Sequence, residues 1–151
     1  MNDPDDIRGW QRLSARTTTS GRLLAADVAR LAQIGVQHVI NLAPDEHEEA
    51  LQDEARLLEQ AGLRYTQIPV PFTAPEESLY QAFIAAYEDG EAPVHVHCIA
   101  NYRVSAFLYR YHRDRVGMPE PEARALMEQQ WSPESGDNPV MQTWARFIGL
   151  R

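Results

Sequence analysis

Residues 93–107 constrain this chain more than any other stretch. They read Pro93-Val94-His95-Val96-His97, then Cys98-Ile99-Ala100-Asn101, then Tyr102-Arg103-Val104-Ser105-Ala106-Phe107. The first part alternates valine with histidine, as a buried strand does. The last part carries apolar residues at helical spacing. Only a tight loop fits between them, so the chain passes from strand to helix at a cysteine, the only one in the 151 residues. Successive loop N–H groups and a helix N-terminus favour negative charge there, and arginine adds a planar donor fork.

The rest of the chain repeats the alternation. Leu24, Val28, Leu31 and Ile34 recur at helical spacing before Gly35. Residues 37–42 form an apolar run suited to a strand, and Pro44 ends it. Residues 48–61 read as a helix with acids on its solvent face, and 63–70 as a second strand. Helices are expected over 76–88, 104–116, 121–131 and 139–150, with a loop at 132–138. Near the start, 12–15 reads as a short strand and 17–21 as a turn. The pattern predicts an α/β fold: a central, mainly parallel sheet with helices on both faces. Such sheets place their sites beyond the C-terminal strand ends. The loops at 43–47, 71–75 and 98–103 should therefore meet at one edge. Residues 1–8 are polar and expected to be flexible, and 9–151 to form a single domain, long enough to bury roughly 70% of its unfolded surface.

The net charge of −8 weighs against a nucleic-acid partner or an anionic membrane, since both need a basic face. All 14 basic residues are arginine. Without lysine there is no side-chain Schiff base and no phosphate-loop lysine of the nucleotide-binding kind. A lone cysteine excludes an internal disulfide. The acidic start has no apolar run behind it and does not read as a signal peptide, so a cytoplasmic protein is expected.

The fragment His97-Cys98-Ile99-Ala100-Asn101-Tyr102-Arg103 resembles the signature of cysteine-dependent protein phosphatases of the tyrosine/dual-specificity superfamily. Four residues separate Cys98 from Arg103, one fewer than in the resembled signature, and Asn101 stands where a glycine is usual. Asparagine tolerates positive φ, so the loop still turns. Thr19-Ser20-Gly21-Arg22, Val39-Ile40-Asn41-Leu42 and Arg103 through Phe107 extend the likeness to a bacterial group with the shortened loop.

The resemblance implies a phosphomonoester hydrolase that forms a phosphocysteine on Cys98, acts on a phosphorylated protein or small molecule, and needs no cofactor or metal. Phosphate would be bound by Arg103 and the backbone of Ile99, Ala100, Asn101, Tyr102, Arg103 and Val104. Ser105 would steady the sulfur, and His97 would order the loop. His95 reads as a core histidine whose polar atoms find partners. The family's acid is an aspartate after a neighbouring strand, but residues 69–77 contain none. Glu76, with Glu77 beside it, and Asp45, with Glu46 beside it, are the candidates for its place, and a chain without an acid is the alternative. Trp131, Asn138, Pro139, Val140 and Trp144 read as packing of the last two helices. Two alternatives stand beside hydrolysis: a rhodanese-like sulfurtransferase, whose cysteine loop is often as short, and a phosphate-binding module with weak turnover.

Overall fold

The computed structural model describes residues 2–134 and 138–150. Part of the loop expected at 132–138 lies outside the described residues. Five strands form one sheet: β1 (Gln11–Arg12), β2 (Thr17–Ser20), β3 (His38–Asn41), β4 (Arg64–Gln67) and β5 (Val94–His97). Their order is β1-β2-β5-β3-β4, with only the β1–β2 pair antiparallel. Six α-helices follow the chain: α1 (Asp27–Gln33), α2 (Glu54–Gln60), α3 (Glu77–Tyr87), α4 (Tyr102–Tyr111), α5 (Glu120–Glu128) and α6 (Pro139–Phe147). A π-helical segment, His112–Val116, continues α4.

Adjacent residues of β3 report the two faces. Val39 packs with Val28 and Leu31 of α1 and Leu58 of α2. Ile40 packs with residues of α3, α4, α5 and α6. The expected mainly parallel sheet with helices on both faces is therefore present. β5 lies in its centre, between β2 and β3. Its Val94 and Val96 join the larger core, as does Cys98, whereas His95 stacks on Trp10 at the opposite face, 5.3 Å between ring centres.

Three sequence expectations need correction. Residues 17–20 are a strand, not a turn: three consecutive β-branched threonines suit a pleated surface, and both sheet neighbours bury them. The expected helix over 48–61 is confined to Glu54–Gln60, because 42–53 descend from the sheet edge as a loop. Residues 2–8 are not free of the domain. Ile7 is buried with α1 and α2, and Asp3, Asp6 and Arg8 pair with Arg12, Arg30 and Glu49.

Candidate active site

Cys98 follows the last residue of β5, and the loop after it is held from behind. The Cys98 carbonyl meets His97 Nδ1 at 3.1 Å. The Ile99 carbonyl accepts from Arg22 N–H at 2.8 Å, and the Asn101 carbonyl from Ser105 N–H at 2.9 Å. In a trans peptide the carbonyl and the next N–H point in opposite directions. Carbonyls tied outward therefore leave amides turned inward. Among the described residues, no N–H from Ile99 to Val104 donates to a protein acceptor. A run of unpaired amides at the start of α4 has the chemistry to cradle an anion.

Asn101 closes the loop with φ 68, the left-handed turn its residue type allows. Its side chain is fully buried. Nδ2 donates to the Gly9 carbonyl at 2.7 Å and to Thr19 Oγ1 at 3.0 Å, and Oδ1 accepts from Ser105 Oγ at 3.0 Å. Ser105 thus spends its hydroxyl on the loop's anchor and does not line the cavity above Cys98. The partner this geometry gives the hydroxyl is Asn101. Gly21 lies directly beneath the loop: a Cβ there would sit 2.4 Å from the Ile99 oxygen.

The cavity over Cys98 has a volume of about 510 Å³ and gathers all three expected loops. Pro44, Glu46 and His47 come from the loop after β3, Phe72 from the loop after β4, and Cys98, Ile99, Ala100, Tyr102 and Arg103 from the loop after β5. Arg103 is 6% exposed. Its Nη1 donates to the Val70 carbonyl at 2.9 Å, and its guanidinium lies 5.7 Å from the centre of the Phe72 ring. One edge of the arginine is fixed by the chain, which aims the rest.

The aromatic wall comes from far along the sequence. Tyr102 stacks on Trp131, 4.7 Å between centres and 7° between planes. Phe72 touches Tyr102, Trp131 and Trp144, and Trp144 Nε1 donates to the Phe72 carbonyl at 2.7 Å. Both tryptophans are buried, as the core reading expected, and they back the substrate cavity.

The acids separate cleanly. Asp45 accepts from Gln67 Nε2 at 2.7 Å and lines a different cavity, with Glu54 and Tyr65. Glu76 is exposed at the start of α3 and does not line the Cys98 cavity. Glu77 is bound by Arg110 and Gln81, and these bonds hold its carboxyl below the usual range. Asp45 and Glu76, expected as catalytic acids, are therefore not brought to Cys98. Glu46 is. His47 joins it: Nδ1 accepts from Glu49 N–H at 3.0 Å, which leaves the hydrogen of the neutral ring on Nε2.

Beneath the cradle, His95 is fully buried between Thr18 and Ser20, whose hydroxyls lie 2.9 and 2.8 Å from its ring nitrogens. Burial holds its pKa well below the ordinary histidine value. His97 reaches Glu54, a residue the sequence reading passed over. Among the acids of 48–61, no spacing marks it as the buried one. Among the described residues no His/Cys/Asp/Glu group is arranged to hold a metal ion, and no helix is long and apolar enough to cross a membrane.

Comparison with known proteins agrees with this geometry. Residues 10–110 match the family model of the phosphatase-like domain of beta-lactamase hydrolase-like protein. The chain belongs to this family. It is 34% identical to a candidate phosphatase (DUF442) from Shewanella putrefaciens CN-32, over 97% of this chain and 95% of that one, with a TM-score of 0.82. The fold is shared with Pseudomonas aeruginosa TpbA, solved in complex with pTyr, at 22% identity over 98% and 86% of the two chains and TM-score 0.68. It is shared too with the core catalytic domain of the PP-IP phosphatase SIW14 from S. cerevisiae, at 14% identity over 95% and 85% of the two chains and TM-score 0.72. No curated protein sequence matches this chain. The family makes this a phosphatase-like domain, and its fold is the one these phosphatases share.

Proposed function

We propose that this chain hydrolyses phosphomonoesters through a phosphocysteine on Cys98. The observation that carries the reading is the run of unpaired amides from Ile99 to Val104, with Arg103 and Cys98 in one cavity. The thiolate attacks phosphorus while the bond to the leaving oxygen breaks. The cradle amides and Arg103 hold the phosphoryl oxygens as charge develops. The Glu46 carboxyl gives its proton to the leaving oxygen. Water then attacks phosphorus, Glu46 takes the proton back, and the sulfur–phosphorus bond breaks to release phosphate.

The substrate class follows from the walls. Phe72, Tyr102 and Pro44 offer apolar surface, and Arg103 is the cavity's one arginine. A single phosphate on an apolar or aromatic group fits better than a polyphosphate. TpbA was solved with pTyr and another fold relative, PTPMT1, with PI(5)P; of the two, the first ligand suits these walls better. Hydrolysis of p-nitrophenyl phosphate should be abolished in Cys98→Ser. Undiminished turnover by that variant would overturn the mechanism.

One observation favours a second reading. The four residues between Cys98 and Arg103 make a smaller ring of amides, which suits a single persulfide sulfur. In that reaction thiosulfate gives its outer sulfur to the Cys98 thiolate, sulfite leaves, and cyanide takes the sulfur. Thiosulfate-to-cyanide transfer exceeding aryl phosphate hydrolysis would put this reading first.

A further inference from the structure

The hydrolytic scheme leaves one buried carboxyl unused. Glu54 is 6% exposed, although acids around it face water. Its Oε2 lies 2.6 Å from His97 Nε2, and His97 is 2% exposed. A carboxyl taken out of water needs a hydrogen-bond partner, and His97 is the one given to Glu54. The backbone agrees. Among the described residues, Asp53 and Asn101 are the non-glycine residues with positive φ, at 59° and 68°. Such backbone is strained in a residue with a side chain and persists where the surroundings demand it. Asn101 turns the far end of the cradle. Asp53 turns Glu54 inward, toward the near end.

The chemistry of His97 shows what Glu54 does there. The Cys98 carbonyl only accepts hydrogen bonds, so the 3.1 Å contact requires a hydrogen on Nδ1. Nε2 then needs a partner of its own, and Glu54 supplies one whichever of the two atoms holds the proton. With both ring nitrogens engaged, the ring cannot flip or swing away, and the Cys98 carbonyl stays on the His97 side. The Ile99 N–H, antiparallel to that carbonyl, is sent toward the oxyanion.

We infer that Glu54 is a positioning residue that, through His97, sets the direction of the first amide of the oxyanion cradle. The inference rests on Cys98 as the oxyanion-binding nucleophile. Glu54 does not line the substrate cavity; it borders a separate one of about 290 Å³ with Asp45, Tyr65 and Gln67. It acts from outside, touching no substrate.

The test uses Glu54→Gln, Glu54→Ala and, as a stability control, Val28→Ala in the other core. A glutamine amide donates to Nε2 and leaves Nδ1–H on the Cys98 carbonyl; alanine leaves Nε2 without a partner. Three quantities are read: the thermal midpoint, the vanadate concentration that half-protects Cys98 from iodoacetamide, and kcat and KM for p-nitrophenyl phosphate well below each midpoint. Glu54→Ala should need at least about tenfold more vanadate and lose kcat by up to about 100-fold, the scale of a misplaced catalytic group, with KM changing less. Glu54→Gln should keep parent values. Val28→Ala should lose thermal stability alone. Parent-like vanadate protection in Glu54→Ala overturns the inference. So does an equal loss of protection in Val28→Ala, or a Glu54→Gln as impaired as the alanine variant, which would assign the effect to charge rather than direction. If the parent binds vanadate and the variants respond as expected but no phosphate ester is hydrolysed, hydrolysis fails and the positioning role stands. If vanadate never protects Cys98, both fall.

Discussion

Gly21→Ala should damage the cradle without touching it chemically. The methyl carbon would lie 2.4 Å from the Ile99 oxygen, 3.0 Å from the Ile99 carbonyl carbon and 3.2 Å from the Ala100 Cα. All three are backbone atoms, so no rotamer change relieves the clash. Restoring ordinary contact moves the loop or β2 by about 1 Å. That displacement stretches the 2.8 Å bond from Arg22 N–H to the Ile99 carbonyl, and with it the aim of the Ala100 amide. Overpacking of this kind costs about 1–3 kcal/mol, and the lost hydrogen bond about 1 more. In catalysis, a 1 Å misplacement is worth up to about 100-fold. The assay is kcat/KM for p-nitrophenyl phosphate, with vanadate protection of Cys98 and the thermal midpoint measured alongside. Gly35→Ala is the control: Gly35 has φ 92 but nothing within 4 Å of an added Cβ, so it should lose stability and keep activity. Parent-like activity in Gly21→Ala, or equal inactivation by Gly35→Ala, would refute the argument.

Glu46→Gln should leave an activated aryl phosphate nearly untouched and slow an alkyl phosphate by about 10²–10⁴-fold, since only the poor leaving group needs the proton; equal effects on both esters would remove Glu46 from the mechanism. Arg103→Lys should weaken vanadate protection by roughly 10- to 100-fold, the worth of a lost charge-assisted bond of about 1.5–3 kcal/mol, because a lysine cannot hold the Val70 carbonyl and an oxyanion with one planar fork. Stability should fall as pH drops below the ordinary histidine range. His95 is depressed by burial, so above about pH 6.5 neither state binds its proton, while below it the unfolded chain does and the folded one resists, by up to about 1.4 kcal/mol per pH unit. A urea midpoint unchanged from pH 7 to 5.5 would contradict this.

The strand, loop and helix around Cys98 were legible because each is encoded locally: alternating valines, an asparagine able to turn, and an apolar helix face. The convergence of three loops followed from topology alone. Side-chain commitments across the fold were not legible. Asp45 looked as suitable as Glu46 until Gln67, from β4, captured it. Glu77 is held by Arg110, 33 positions away. Ser105 stands at a plausible offset from Cys98, but the buried amide of Asn101 claims its hydroxyl. The strand at 17–20 was missed because threonine and serine look like turn residues until a central sheet position rewards their branching. Glu54 gave no signal, since its burial depends on the left-handed turn at Asp53.

The region matching the family model ends at residue 110, whereas the rings behind Phe72 and Tyr102 belong to Trp131 and Trp144. The cavity's own lining, Phe72 and Tyr102 included, thus lies inside the matched stretch, and the rings that brace it lie outside. The C-terminal stretch reaches the cavity wall through these ring contacts and through the indole bond from Trp144 to the Phe72 carbonyl. Changing either indole should therefore be felt at Phe72 and Tyr102 first, from behind the wall rather than from inside the cavity.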